Sequence, residues 1–444
     1  MRHVKNTAIA FSLVLIVAFQ LQLLPFFSSW LVTNKTVWPI VYYSFWVLIV
    51  TVTGASLLLP GVLRRSMPVI VLGSVLMALA LLHPIDVIAK NSFVSMVFLI
   101  CVTILAIASG PVLILRFAAA ATAVCACICL IDILFARGLT DTAGRAAGLS
   151  INPNIAALGL LLGASVSYWV VPFRLAGYFI VLILAAIFTT LSKSTLLAYL
   201  IIFGGVAAYS FRFSPRPRIR GPALFVLALC AWLWLASSTN DRFRVATSLA
   251  FSGLRNAVTA FETAKTAVSG AVAIRERPTP PSSGAARPPS TGVAEMPRPK
   301  SQARIEELGR RAATEGDINS VSARGLLMER AWLSYRNSPI SGVGLDAAYA
   351  LESHNSFLFF ALAFGPIGWL VPLLFIGLTL TRSIVGVPMP LAIFVAAMVS
   401  HDVFRVPGLL VPIALGIAYA RISDRSRDPM PSAANPSHWA AARH

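Results

Sequence analysis

Charged residues are scarce in this sequence. Only 12% of its 444 residues are Asp, Glu, Lys or Arg, whereas 57% are hydrophobic. A soluble domain has about 25% charged residues. Uncharged apolar runs recur along the whole chain, and a helix of about 20 apolar residues is long enough to cross a bilayer. Because a helix satisfies its own backbone hydrogen bonds within one span, the composition predicts an all-α polytopic integral membrane protein.

Acidic residues are scarcer than basic ones. The chain has 17 Asp and Glu against 36 Lys and Arg, which gives a formal net charge of +19. In a soluble protein this excess would indicate nucleic acid binding. Here the cations lie mostly in short loops beside apolar runs, where they set topology and contact lipid headgroups. We therefore expect membrane lipids, and no nucleic acid, among the partners.

Motifs for disulfides, nucleotides and metals are also missing. The five cysteines all lie in apolar runs without a Cys-x-x-Cys pair, so a disulfide framework is not expected. The chain has no Walker A sequence and no Asp-x-Asp. Glu315-Gly316-Asp317 is an acid-x-acid pair without a second carboxylate cluster to complete a hard-cation site. We expect neither a metal nor a cofactor.

Hydropathy windows of about 19 residues predict about twelve spans. They lie near residues 7–27, 38–60, 67–83, 92–112, 117–136, 153–171, 176–190, 195–211, 221–237, 355–377, 387–400 and 407–420. Arg and Lys fall on every second short loop, which predicts that both termini are cytoplasmic. The predicted organisation is nine spans in 1–237, an outer loop in 238–353, three spans in 354–420 and a cytoplasmic tail in 421–444.

The outer loop divides into three parts. Residues 241–273 have an amphipathic pattern that is typical of a helix on a membrane surface. Residues 277–300 are rich in Pro, Ser and Gly and are predicted to be disordered. Residues 301–337 return to a helical pattern, and "NSPISGVGLD" has the composition of a turn that leads back to the membrane.

Several polar residues are predicted on the outer side, where charge at membrane depth is expensive and indicates function by default. Arg145 precedes Asn152-Pro153-Asn154, a helix start that serves either as a cap alone or, with the arginine, as an anion site. Lys193 lies in a polar break between two spans, either as a snorkelling side chain or as a phosphate contact.

Charged residues nearer the end of the chain leave similar alternatives. Arg324 in the outer loop is either an ordinary solvated charge or a phosphate ligand, since a guanidinium binds phosphate oxygens bidentately. His401, Asp402 and Arg405 form a polar trio predicted on the same side as the loop.

His354 opens the tenth predicted span, "HNSFLFFALAFGPIG". With Ser353 as the N-cap, the positive end of the helix dipole would keep the imidazole neutral, as a general base requires. At about 100° per residue, Gly365 and Gly368 fall on the helix face below His354. There they would allow the close approach either of another helix or of a lipid chain.

These segments resemble those of the bacterial O-antigen ligases, in the O-antigen ligase/polymerase superfamily. The resemblance rests on "GRAAGLSINPN", "LSKST", "RGLLMERAWLSYRNSPISGVG" and a His-Asn, nine residues, Gly-x-x-Gly pattern, which occur in family order over roughly residues 140–405. Lys193 stands where relatives often have arginine. Residues 277–300 are an insert, to which we assign no catalytic role.

The resemblance implies a GT-C-like architecture and an inverting, metal-independent glycosyl transfer on the periplasmic face of the bacterial inner membrane. The donor would be O-antigen polysaccharide on undecaprenyl diphosphate, and the acceptor a sugar hydroxyl of lipid A–core oligosaccharide, so that the product is lipopolysaccharide. His354 would be the base. Arg324 would be the first cation on the diphosphate, with Arg145 and Lys193 next.

The resemblance also suggests further substrate-binding residues. Asn355 would orient His354 or a sugar. His401, Asp402 and Arg405 would either bind an acceptor phosphate or hold the site together. Asn152 and Asn154 complete the set, beside Arg145.

Two kinds of alternative stay open. An O-antigen polymerase or an O-linked oligosaccharyltransferase would use the same donor with another acceptor. A polyprenyl-linked glycan transporter would not be an enzyme, and it would place polar residues near the bilayer midplane. Most polar candidates lie on the predicted outer face; Arg116 and Asp132 are the main exceptions.

Overall fold

A computed structural model gives the fold. It describes residues 1–24, 26, 37–82, 87–135, 144–150, 152–213, 220–245, 247–248, 321–351, 353–381 and 386–423. The proline-rich stretch 277–300, most of the amphipathic segment 241–273, the pair Glu315 and Asp317 and nearly all of the predicted tail lie outside these residues.

The described residues form helices and no β-strand. In chain order the helices are α1 (Arg2–Leu15, continued by a π-helical turn over Ile16–Gln20), α2 (Val37–Leu57), α3 (Val62–Ala80), α4 (Val87–Ser109), α5 (Pro111–Phe135), α6 (Pro153–Ser167), α7 (Phe173–Thr189), α8 (Lys193–Phe213), α9 (Arg220–Thr239), α10 (Val321–Asn337), α11 (Leu345–Ala350), α12 (Ser356–Phe364), α13 (Leu370–Thr379), α14 (Pro388–Val399) and α15 (Pro407–Ser423). Short 3₁₀ turns cover Gly148–Ser150, Tyr168–Val170 and Gly365–Trp369.

The helical class predicted from composition is confirmed. Every predicted span coincides with a helix or, for the tenth, with α12, α13 and the turn between them. Within the described residues, seven helical segments are long and apolar enough to cross a membrane. Five shorter apolar helices occupy the remaining predicted positions. The protein is therefore a helical membrane protein, and the number of twelve crossings stays a prediction.

Helix α4 lies at the centre of the bundle. It is buried along most of its length, and α1, α2, α3 and α15 pack against it. Helix α2 is exposed along most of its length and lies at the periphery. From Met96 onward most residues of α4 are buried, which explains why this part of the helix is apolar on every face, since little of it meets a polar medium.

Two ring and side-chain contacts fix the relative direction of α6 and α15. A Cβ on Gly159, in the middle of α6, would lie 3.7 Å from Leu409, in the first turn of α15. The rings of Trp169 and Tyr419 lie 4.5 Å apart near their far ends. The two helices are therefore parallel, and they begin at the same end of the bundle. We call this end the site end.

Helix α4 also begins at the site end. The carboxylate of Asp346, in α11, accepts the backbone N–H groups of Ile88 and Ala89 at 3.0 and 3.4 Å, so it caps the first turn of α4. About two turns further on, the hydroxyl of Ser95 donates to the carbonyl of Arg405, just before α15. The first contact brings the last part of the outer loop to the start of α4, and the second brings the start of α15 to the same place.

The turn over residues 338–344 packs its backbone against the end of α12. The N–H groups of Val343 and Gly344 donate to the carbonyls of Leu362 and Ala363, at 2.6 and 3.3 Å. A Cβ on Gly342 would lie 2.6 Å from both carbonyl oxygens, which a side chain does not tolerate. Because the last carbonyls of a helix lack partners within the helix, this turn acts as a C-terminal cap made from another part of the chain.

The predicted glycine stripe below His354 is wrong. Helix α12 ends at Phe364, and Gly365 has φ +68° and ψ −151°, so the helical direction is interrupted before Gly368. A Cβ on Gly365 would collide with the carbonyl of Ile340, and one on Gly368 with that of Phe360. Both glycines are buried against backbone, which replaces the lipid-chain alternative with close packing of a turn.

We predict that Gly365→Ala destabilises the protein. Its φ and ψ lie in a region that is almost restricted to glycine and costs about 1–3 kcal/mol for other residues, and the added Cβ collides with a carbonyl. Gly377→Ala is the matched control, because nothing lies within 4 Å of a Cβ there. Melting curves of the purified protein should show a lower midpoint for Gly365→Ala alone. Equal midpoints for the two variants would contradict the described turn.

Candidate active site

Polar side chains meet at the site end. The starts of α4, α6 and α15 lie there, and contacts described below add the end of α5, the end of α7 and the start of α12. The side chains form two clusters. The first cluster surrounds Arg145, in the loop between α5 and α6. The second surrounds His354, where α12 and α15 begin.

Arg145 is held by two elements that the sequence separates. Its Nε donates to the carbonyl of Thr190 at 2.8 Å, just after α7, and its Nη2 donates to Oδ1 of Asn154 at 2.8 Å, in the first turn of α6. The adjacent N–H of Ala146 donates to the carbonyl of Thr189 at 3.0 Å. The half-buried guanidinium therefore joins the start of α6 to the end of α7, which fixes the position of its charge.

A buried carboxylate in α5 supports the loop that carries Arg145. Asp132, one turn before the end of α5, accepts the N–H groups of Ala147 and Gly148 through Oδ2 at 3.0 and 3.1 Å. Its residue is 7% exposed, and a carboxylate at that depth requires such donors. The sequence signalled Asp132 as a charge within a span, but it did not reveal this supporting role.

Asn152 is confirmed as the N-cap of α6. Its side chain accepts the N–H groups of Asn154 and Ile155 at 2.9 and 3.4 Å, and Pro153 occupies the first turn. The next N–H, of Ala156, donates to the backbone carbonyl of Asn152. Since the protein itself satisfies these donors, the helix start offers little to an anion, and any anion binding here depends on the arginine.

Lys193 is the first residue of α8, and its side chain is exposed. The predicted polar break is confirmed, because α7 ends at Thr189 and α8 begins four residues later. The hydroxyls of Ser192 and Thr195 lie 3.0 Å apart at this helix start. Leu191, with φ +53°, gives the sharp change of direction.

The second cluster brings two histidines together. The rings of His354 and His401 have centroids 5.5 Å apart, inclined at 53°. Nε2 of the buried His401 lies 3.6 Å from Oδ1 of Asp402. The hydroxyl of Ser356, at the start of α12, donates to the carbonyl of Ser400 at 2.6 Å. This bond fixes the segment that carries His401 against the segment that carries His354.

Arg405 is enclosed by groups that satisfy a cation. Its Nη1 lies 3.3 Å from Oδ1 of Asp402, and its Cζ lies 4.2 Å from the ring centroid of Tyr349. Only 11% of its side chain is exposed. These contacts favour the second of the two predicted roles, in which the trio holds the site together. Sequence reasoning missed Tyr349, a lone aromatic residue in a short helix.

The start of α12 differs from the prediction. Asn355, not Ser353, is the N-cap, since its side chain accepts the N–H of Leu358 at 3.1 Å. The Ser353 hydroxyl instead donates to the carbonyl of Asn355 at 3.2 Å. Both residues have side chains that suit a cap, so sequence alone does not choose between them. His354 therefore lies outside the helix, with φ +49°.

Two further points concern ligands. Arg324 lies in α10, but its side chain is outside the described part of the chain. Within the described residues, no group of three or more His, Cys, Asp or Glu side chains is placed to hold a metal ion. The described groups offer a weak base, hydrogen-bond donors and cations, which suit the binding of an anionic group and the removal of a proton.

We predict that Asp132→Ala lowers stability and that Asp132→Asn largely preserves it. Alanine leaves two buried N–H groups without an acceptor, at about 1–3 kcal/mol each, whereas the asparagine oxygen still accepts. Thermal unfolding in detergent measures the difference. If the two variants unfold at the same temperature, the carboxylate does not support the loop as described.

We also predict that His354→Gly is more stable than His354→Ala. The left-handed conformation costs an L-residue about 1–2 kcal/mol and glycine much less. Ala347→Gly in α11 is the control with the opposite sign, because glycine within a helix is destabilising. A lower melting temperature for His354→Gly than for His354→Ala would show that the residue is not held in this conformation.

Comparisons of the chain with protein-family models and with curated proteins give no match. The likeness to the O-antigen ligases therefore rests on the short segments described above. What the geometry adds is that three of these segments, around Arg145, Lys193 and His354, meet at one end of the helical bundle.

Proposed function

We propose that this protein is a glycosyltransferase that moves a glycan from undecaprenyl diphosphate to a sugar hydroxyl of lipid A–core oligosaccharide. In this proposal the chain crosses the bacterial inner membrane twelve times in a GT-C-like arrangement. Both termini are cytoplasmic, and the site end faces the periplasm. The donor glycan is O-antigen polysaccharide, and the product is lipopolysaccharide.

One observation carries the proposal. Segments far apart in sequence, around residues 145–154, 190–193, 354 and 401–405, come to the same end of the bundle and bring their polar side chains with them. Three of the resemblance's four segments meet there, and the turn at 338–344, in the fourth, packs on the other end of α12. Helix capping accounts for Asn152 and Asn355, but it does not require the guanidinium of Arg145 or the paired rings of His354 and His401.

The chemistry requires one base and one anion-binding region. The acceptor hydroxyl oxygen attacks the anomeric carbon, and its proton passes to an imidazole nitrogen of His354. The bond from that carbon to the diphosphate oxygen breaks, and the electron pair leaves on the diphosphate. Attack from the face opposite the leaving group inverts the anomeric centre. Undecaprenyl diphosphate is released with the added negative charge.

Cations near the leaving oxygen favour this step because they stabilise charge that grows in the transition state. Arg145 is held in place by Thr190 and Asn154, so its charge needs little reorganisation. Lys193 and Arg324 supply the further cations. The proposal assigns His401 and Asp402 to positioning, since His401 lies between the ring of His354 and the carboxylate.

A transporter explains the arrangement less well. The side chains of both clusters lie at helix starts and ends, and alternating access needs a binding site near the bilayer midplane. Asp132, the charge that lies deeper in a span, supports a loop through backbone hydrogen bonds. Because the clusters lie at helix termini and Asp132 is occupied by a loop, these groups favour a site on the membrane face over a site within the bundle.

We predict that His354→Ala lowers the rate of glycan transfer by about 10²–10⁴-fold. Arg324→Ala should abolish transfer. Arg145→Ala should reduce it by about 10–100-fold, because a charge-assisted hydrogen bond contributes about 1.5–3 kcal/mol. The measurement uses purified protein in liposomes with a defined lipid-linked donor and lipid A–core as acceptor. Transfer to core lipid, to a second lipid-linked repeat or to a protein serine distinguishes the possible acceptors.

The control is Arg174→Ala, which removes an exposed arginine from the start of α7, opposite the end that holds Arg145. It should transfer glycan at the wild-type rate. Near wild-type transfer by His354→Ala would exclude the histidine as the base. Transport of the lipid-linked glycan without a covalent product would overturn the proposal as a whole.

A further inference from the structure

The tip of the turn over residues 338–344 exposes a large apolar side chain. Ile340 is 84% exposed, more than any other apolar side chain described in this part of the chain. Its neighbours Arg336, Asn337 and Ser341 are also exposed. An isolated isoleucine at the tip of a polar turn is common on soluble proteins, so exposure alone does not identify a partner.

The surroundings of Ile340 are unusual because they are aromatic. The rings of Trp332 and Tyr335, in α10, lie 5.5 Å apart, and Tyr335 meets the ring of Trp369 edge-on at 6.3 Å. Trp332 is 41% exposed. Tryptophan and tyrosine concentrate where a membrane protein crosses from lipid to water, because each has an apolar ring and a polar group. Trp332 and Tyr335, in the last two turns of α10 just before the turn over residues 338–344, suit such a boundary.

The apolar surface continues from the turn along a membrane-spanning segment. Ile367 is 55% exposed and Leu370 is 52% exposed. They are followed in α13 by Leu373 and Leu374, which are also exposed. These residues belong to the segment Ser356–Thr379, which is long and apolar enough to cross a bilayer. Their exposed side chains therefore face lipid. The backbone carbonyl of Ile340 lies against Gly365, two residues before Ile367, which places the turn beside this lipid-facing surface.

The depth of the turn follows from the length of that segment. Arg421, in the last turn of α15, donates to the carbonyl of Leu378 at 3.4 Å, so charge marks one boundary near the end of α13. The ten residues of α13 and the 3₁₀ turn before it rise about 25 Å at about 1.5 and 2.0 Å per residue. The hydrocarbon core is about 30 Å thick. Gly365 then lies about 5 Å inside the other boundary.

The turn reaches this depth because its backbone is fixed to α12. The carbonyl of Ile340 faces Gly365, and the N–H groups of Val343 and Gly344 are bonded to α12. Pro339 has no N–H to leave without a partner. The hydroxyl of Ser341 donates to the carbonyl of Gly342 at 3.3 Å. Polar backbone at the edge of lipid requires partners of this kind within the protein.

We propose that the turn over residues 338–344 docks into the membrane interface at the site end, with Ile340 inserted at the boundary between headgroups and acyl chains. The partner is the lipid surface itself. The part of the outer loop that precedes His354 is then held on the membrane by its own side chains, in addition to its contacts with α12. This inference does not depend on the proposed reaction.

The test places a single new cysteine at the tip. Ile340→Cys, in the full chain in lipid nanodiscs, is reacted with a charged, membrane-impermeant maleimide, and the wild-type protein gives the background of the native cysteines. Ala347→Cys, at an exposed position of α11 next to the residue that caps α4 at the site end, is the water-exposed control. Leu373→Cys, 49% exposed on α13, is the lipid-exposed control. We expect Ile340→Cys to react at least tenfold more slowly than Ala347→Cys.

A second measurement separates lipid from a covering protein surface. The cysteine of Ile340→Cys is labelled with bimane in detergent, and the protein is returned to nanodiscs that contain lipids with a doxyl group near the headgroup. We expect quenching comparable with that of labelled Leu373→Cys. Reaction as fast as that of Ala347→Cys, or bimane fluorescence that doxyl lipids leave unchanged, would overturn the proposal.

Discussion

Within a bilayer, every backbone N–H and C=O group must find a partner inside the protein, and this constraint decides where helices can end. At the site end, several side chains provide these partners. Asp346 caps α4, Asn152 caps α6, Asn355 caps α12, and Asp132 accepts two N–H groups of the loop before α6. The groups that make this end polar are thus first of all the groups that allow helices to stop there.

That origin explains how a reactive arrangement can be built on a structural one. Arg145 donates to the carbonyl of Thr190, just after α7, and to the side chain of Asn154. These two hydrogen bonds hold its positive charge at a fixed position. Arg405 lies over Tyr349 and beside Asp402, and it helps to fix the segment that carries His401. In the proposed function, charged groups that already have structural partners would need little reorganisation when a substrate binds, which favours electrostatic stabilisation of a transition state.

Sequence patterns predicted the helices well and their interruptions poorly. Hydrophobic runs located every helix of the bundle, and the Asn-Pro pair located the start of α6. The break at Gly365 was missed, because the lost helical hydrogen bonds are replaced by bonds from the turn over residues 338–344, which local sequence patterns do not reveal. The choice of Asn355 over Ser353 as a cap depends on the same tertiary contacts. The supporting role of Asp132 depends on where the loop folds back, which local periodicity does not encode.

The bonded contact between the turn over residues 338–344 and α12 has a mechanical consequence. Helix α10 leads directly into this turn, and α11 follows the turn in the chain. Asp346 in α11 caps the start of α4, and His354 lies four residues after the end of α11. Because this turn is hydrogen-bonded to α12, a displacement of α10 would also displace α12, which begins two residues after His354. In the proposed function, a substrate bound to the outer loop would in this way move the histidine.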